Sequence, residues 1–207
     1  GPTGSGKSYM CECLAKILNI PFVHADASQY TQTGYYGMSV SDSLKPLLPL
    51  AKEGKLPVSI VFLDELDKLH QGSERDGGAT STNVQAEILR LIESTHYLIE
   101  NRLLSGKSVN GVDISQVLFI AGGAFENLQV KHADKTVGFA QAPIVQTRTL
   151  TANDYIGYGM MPELIGRFSY FVQLKSLDKE DLRQILLNPH NGPLQQYKDL
   201  LHTSTQV

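Results

Sequence analysis

Apolar positions recur at helical spacing soon after the chain begins: Met10, Leu14, Ile17 and Leu18 fall on one side of a helix that Pro21 must stop. Residues 22 to 24 then read as a short strand. Residues 39 to 53 carry a helical pattern, but Pro46 and Pro49 lie inside it and would break or kink an α-helix. The period then changes. Residues 58 to 63 are a continuous β-branched and apolar run ending in Asp64-Glu65, the pattern of a buried parallel strand with two carboxylates at its C-terminal end. Residues 71 to 82 are Gly-rich and polar, hence a loop, and Val84, Ile88, Leu91 and Ile92 mark one face of a helix from about 83 to 94. Residues 97 to 104 and 112 to 114 can pair as a hairpin ahead of a strand at 117 to 120. Residues 126 to 150 have neither period, and residues 170 to 174 read as a last strand. Asp178 can cap a helix carrying Leu182, Ile185 and Leu186, and a second helix follows at 193 to 202. Three alternations of strand and helix predict an α/β fold with a parallel sheet flanked by helices. A large α/β domain is expected over 1 to 176, and 177 to 207 as the start of a small helical domain, because two helices alone cannot bury a core.

Composition narrows the class. The 207 residues are 42% hydrophobic and 19% charged, with no apolar run of membrane-spanning length, which excludes a disordered chain and a membrane span. Eighteen Lys plus Arg against 21 Asp plus Glu give a net charge of −3, so the basic footprint of a nucleic-acid binder is missing. Cys11 and Cys13 sit two residues apart on a helix and point to different sides, so they neither bridge nor share a metal. A reducing compartment is expected, the cytoplasm, with the mitochondrial matrix as the alternative. The histidines have no metal-ligand spacing, and no ion beyond a nucleotide-bound one is expected.

Two motifs carry chemistry. Gly1-Pro2-Thr3-Gly4-Ser5-Gly6-Lys7-Ser8 fits the P-loop pattern of Gly, four residues, then Gly-Lys-Ser/Thr, running straight into a helix. The backbone from Pro2 onward would wrap phosphate at the helix N-terminus, with the N–H groups from Thr3 to Tyr9 pointing inward, Lys7 on the β- and γ-phosphates of ATP and Ser8 on Mg2+. Asp64 then holds the magnesium shell, and Glu65 orients and deprotonates the attacking water. Phosphoryl transfer also needs a cation on the γ-phosphate, and Arg167, in Gly166-Arg167, is the candidate. Residue 1 already lies within the P-loop, so an upstream part with any targeting segment is expected.

With those residues in hand, the chain resembles the AAA+ ATPases of the Clp/Hsp100 family, in particular its ClpX-like unfoldases. The segments that carry the resemblance are GPTGSGKS at 1 to 8, GYYG at 34 to 37, VFLDELDK at 61 to 68, VLFIAGGAF at 117 to 125 and MPELIGRF at 161 to 168. The resemblance implies an AAA+ large domain in a ring homo-hexamer that hydrolyses ATP to unfold and translocate unfolded or tagged proteins, without nucleic acid or membrane. It implies that Arg167 reaches the neighbouring subunit's ATP and that Tyr35 and Tyr36 line an axial pore and grip polypeptide. It also implies that Val137-Gly138-Phe139 docks a ClpP-like peptidase, as a Leu, Ile or Val followed by Gly-Phe does in the family. An HslU-like unfoldase and a remodeller without a protease partner remain alternatives, although the short stretch from Gly37 to Asp64 leaves no room for the extra HslU domain. Two departures stand out: Gly122-Gly123 occupy the place where many AAA+ chains put a polar sensor residue, and residues 104 to 113 lack an Arg-Lys-His run.

Overall fold

A computed structural model of the chain describes residues 1 to 30, 38 to 70, 79 to 100, 109 to 126, 128, 149 to 188 and 192 to 204. The expected aromatic loop with Tyr35 and Tyr36 and the tripeptide Val137-Gly138-Phe139 lie outside the described residues.

Three parallel strands, β1 (Phe22–Asp26), β2 (Ser59–Asp64) and β5 (Val117–Ala121), form a sheet in the order β1-β2-β5. The register sets His24 beside Phe62 and Asp26 beside Asp64 on one side, and Phe62 beside Ile120 on the other. Because side chains alternate between faces, β2 sends Val61 and Leu63 into the main core while Ile60 and Phe62 are buried on the opposite face. The central β2 is therefore apolar on both faces, as its sequence requires. Helix α1 (Lys7–Leu18) leads into β1. Its only buried residue is Ala15, whereas the apolar stripe of Met10, Leu14, Ile17 and Leu18 is exposed among the described residues.

Helix α2 (Ala79–Glu93) begins four residues before the expected start, inside the polar stretch read as loop. Val84, Ile88 and Leu91 are buried, which is the face the periodicity marks. The hairpin forms as β3 (His96–Glu100) antiparallel to β4 (Val109–Asp113) in a separate two-stranded sheet. Short helices α3 (Ala152–Tyr158) and α4 (Pro162–Ile165) follow, and helices α5 (Lys179–Leu187) and α6 (Pro193–Ser204) end the described chain. As expected, Asp178 caps α5, accepting from the N–H groups of Glu180 and Asp181 at 2.8 and 2.9 Å.

Two expectations are corrected. The helical pattern around Pro46 and Pro49 is realised as a 3-10 helix over Val40–Leu50 that contains both prolines. Three-residue hydrogen bonding lets the segment keep Val40, Leu44 and Leu47 buried despite the two missing N–H donors. Residues 170 to 174 make no ladder among the described residues, so they are not a strand. The apolar pattern there alternates, with Tyr170 at 89% and Val172 at 77% exposure and Phe171 packed on the core, but no described strand lies alongside to accept the hydrogen bonds.

Candidate nucleotide-binding and hydrolytic site

The loop from Gly1 to Gly6 is shaped by glycines. Gly4 at φ 77° and Gly6 at φ 82° hold left-handed backbone that L side chains rarely adopt. The Gly1 nitrogen donates to Gly123 O at 3.0 Å, which fastens the loop to the end of β5. The first bond into the helix is Met10 N–H to Gly6 O at 2.9 Å, so the N–H groups of Lys7, Ser8 and Tyr9 are the unspent donors of the α1 N-terminus. Ser5 N–H instead closes a turn on Pro2 O at 3.2 Å. Lys7 Nζ lies at the loop, donating to the carbonyls of Gly1 and Pro2 at 2.8 and 3.0 Å. Tyr9 contributes backbone only, since its ring is 57% exposed on the helix surface. Thr3 Oγ1 donates to Glu126 Oε1 at 3.3 Å, which brings a carboxylate from beyond β5 to the loop.

Parallel pairing delivers the end of β2 to the same place. Ser8 Oγ donates to Asp64 Oδ2 at 2.7 Å, and Glu65 N–H donates to Asp64 Oδ1 at 2.9 Å. A third partner carries no signal in the sequence: His24 Nε2 lies 3.2 Å from Asp64 Oδ2, its ring stacked on Phe62 at 5.6 Å. Burial alone would raise the Asp64 carboxyl, but the bonds from Ser8, Glu65 N–H and His24 outweigh it and hold the group below its ordinary value. Beyond Asp64 the chain turns sharply. Glu65 takes left-handed backbone at φ 57°, ψ 31°, and Leu66 N–H then bonds Gly122 O at 2.9 Å. Such backbone costs a non-glycine residue about 1–3 kcal/mol. It points Glu65 outward, and its carboxylate has no partner among the described residues.

Oxygen donors suited to magnesium thus stand together as the Ser8 hydroxyl and the Asp64 carboxylate, with a free carboxylate, Glu65, one residue on. Within the loop Ser5 Oγ is buried without a partner among the described residues, an orphaned polar atom of the kind a phosphate oxygen satisfies. The residues present therefore fit ATP and Mg2+, which the loop N–H groups, Lys7, Ser8 and Asp64 would hold. Arg167 is not part of this cluster: its guanidinium pairs with Glu93 on α2, both groups partly exposed.

Comparison with known proteins agrees with this geometry. The profile of the family described as AAA domain (Cdc48 subfamily) matches residues 1–171. The chain belongs to the AAA domain family. It is 34% identical over 96% of its length to the ATP-dependent Clp protease ATP-binding subunit ClpX of Treponema denticola, covering 52% of that protein. It is 35% identical over 97% to ClpX 2 of Wolinella succinogenes, covering 53%, and 34% identical over 97% to ClpX of Azotobacter vinelandii, covering 50%. The chain therefore spans about half the length of these curated relatives. The expected ClpX-like AAA+ ATPase domain with an α/β P-loop fold is borne out. Among the described residues no helix is long and apolar enough to cross a membrane.

The glycine pair 122-123 has a steric cause. A Cβ at Gly122 would lie 2.5 Å from Phe62 Cζ and 3.3 Å from Asp64 Oδ1, and one at Gly123 would lie 2.8 Å from Asp67 Oδ1. At Gly123 the Phe125 ring is nearer still, its Cε2 at 2.5 Å, so Phe62, Phe125 and Asp67 fill the space a sensor side chain would need.

Proposed function

We propose that the chain is the motor part of an ATP-dependent unfoldase that works as a homo-hexamer and hydrolyses ATP to draw polypeptide through its pore. The observation that carries the reading is the joining of the P-loop to the end of β2 by Ser8 and Asp64, with Glu65 turned outward beside them. Bound Mg2+ would polarise the phosphate oxygens. Lys7 and the loop N–H groups bind the ground-state phosphates, Asp64 and Ser8 orient the ion, and Glu65 takes the proton of the attacking water. Arg167, held away from its own P-loop by Glu93, serves the neighbouring subunit's site. Tyr35 and Tyr36 grip unfolded or tagged substrate, and Val137-Gly138-Phe139 docks a ClpP-like peptidase in the cytoplasm or mitochondrial matrix. The similarity to relatives named as ATP-binding subunits of a Clp protease supports this partnership. Residues 1 to 176 act as the large domain and 177 to 207 as the beginning of the small one. The exposed Leu182, Ile185 and Leu201 on α5 and α6 fit the division.

The test is nucleotide binding and hydrolysis by the full-length protein. Lys7→Ala is expected to abolish binding, and Glu65→Gln to leave binding intact while hydrolysis nearly stops. Hydrolysis at the parent rate by Glu65→Gln would remove the base assignment.

A further inference from the structure

Gln85 is a polar side chain fully buried in an apolar helix face, between Val84 and Ile88. A buried amide is costly unless paired, and both ends of this one are. Its Nε2 donates to Leu69 O at 2.6 Å, and its Oε1 accepts from Met161 N–H at 2.8 Å. Leu69 ends the 3-10 turn Leu66–Leu69 that begins directly after Glu65. Met161 is the N-cap of α4, the turn of helix that leads to Arg167. Gln85 thus bridges two backbone segments, one from each half of the hydrolytic apparatus.

The second segment is stiff. Ile165 N–H bonds Met161 O at 3.0 Å and Arg167 N–H bonds Leu164 O at 3.1 Å, while Leu164 and Ile165 are buried. Met161 and Arg167 therefore move as one hydrogen-bonded unit. Farther along α2, Glu93 holds the Arg167 guanidinium. That ion pair is partly exposed, so it contributes little and releases readily, whereas the Gln85 bonds are shielded from water. Packing alone does not ask for an amide here, since the neighbouring positions of the same face are apolar.

We propose that Gln85 is a positioning residue for hydrolysis. It pins Met161, and hence the place from which Arg167 projects, to the turn that follows Glu65. The inference rests on the reading of Arg167 as acting on the neighbouring subunit's nucleotide. It adds that the position of this arginine is tied through Gln85 to the subunit's own Glu65 segment.

The experiment uses the full-length protein with Gln85→Met, which keeps length and removes both hydrogen bonds. Nucleotide affinity is expected to be unchanged while kcat falls by roughly 10- to 100-fold, as for a small misplacement of a catalytic group. Mixing with Lys7→Ala subunits then separates the roles. If Gln85 acts through Arg167, the Gln85→Met sites regain activity beside Lys7→Ala neighbours, whose own arginines are correctly placed. No gain over either variant alone overturns the proposal, because the defect then lies in the subunit's own site. Arg167→Ala mixed with Lys7→Ala is the control. A gain there without one for Gln85→Met sinks only the role of Gln85, and no gain in either mixture sinks the reading of Arg167 with it. Should Gln85→Met fail to assemble, Gln85→Leu, which also removes both hydrogen bonds and buries no charge, is put through the same mixture: a gain supports the positioning role, and no gain overturns it.

Discussion

Gly122→Ala isolates the steric account of the glycine pair. Gly122 is not at positive φ, so the added methyl brings no backbone strain, only contact. The new carbon would sit 2.5 Å from Phe62 Cζ and 2.8 Å from Cε2, about 1 Å inside the normal carbon-carbon separation. Phe62 is 1% exposed and has nowhere cheap to go, so overpacking of about 1–3 kcal/mol is expected. The ring also stacks on His24, which touches Asp64, so its displacement loosens the carboxylate that is to hold the ion. Urea denaturation measures the stability term, and Mg2+ dependence of nucleotide binding measures the second. Shortening the obstacle with Phe62→Leu supplies the control. The double variant should be less destabilised than the two single changes added together, by at least about 1 kcal/mol. A Gly122→Ala protein within about 0.5 kcal/mol of the parent, or strict additivity in the cycle, would refute the argument.

Further outcomes follow from other parts of the molecule. Asp26 accepts from Ser28 N–H, Ser28 Oγ and Gln29 Nε2 at 2.9, 2.6 and 2.9 Å, and Asp26→Asn should cost about 1 kcal/mol at neutral pH. Burial would raise its carboxyl, but these bonds and His24 hold it below the ordinary value. With the folded value depressed, its contribution is complete above about pH 4 and is lost as pH falls through the folded value, so parent and Asp26→Asn unfolding curves should converge in acid. Tyr35→Ala in the full-length protein should leave ATP hydrolysis and melting temperature intact while unfolding of a stable substrate fails; loss of all three together would mark Tyr35 as core. Phe139→Ala should abolish peptidase association with ATPase and unfolding preserved, and undiminished association would remove the docking role.

Much of the site was legible because its parts are local. The P-loop glycines and Lys7-Ser8 are contiguous, and Asp64-Glu65 announce themselves at the end of an apolar run, so parallel pairing brings them together. His24 was not legible. Its contact with Asp64 depends on the register that sets it opposite Phe62, with Asp64 next on that same face, and a short strand does not reveal register. Gln85 was hidden for a related reason, since its partners are the backbone atoms of distant residues. The 3-10 helix shows tertiary burial of Val40, Leu44 and Leu47 overriding two prolines. Residues 170 to 174 show the reverse limit: an alternating pattern specifies an extended chain, but a strand also needs a neighbour.

The central claim is that hydrolysis is coupled to work on polypeptide. The most direct measurement is the ATPase rate of the full-length protein with an unfolded protein, with DNA, and with neither. The account predicts a rise with unfolded protein alone, lost in Glu65→Gln. A rate raised by DNA, or indifferent to both, would contradict it.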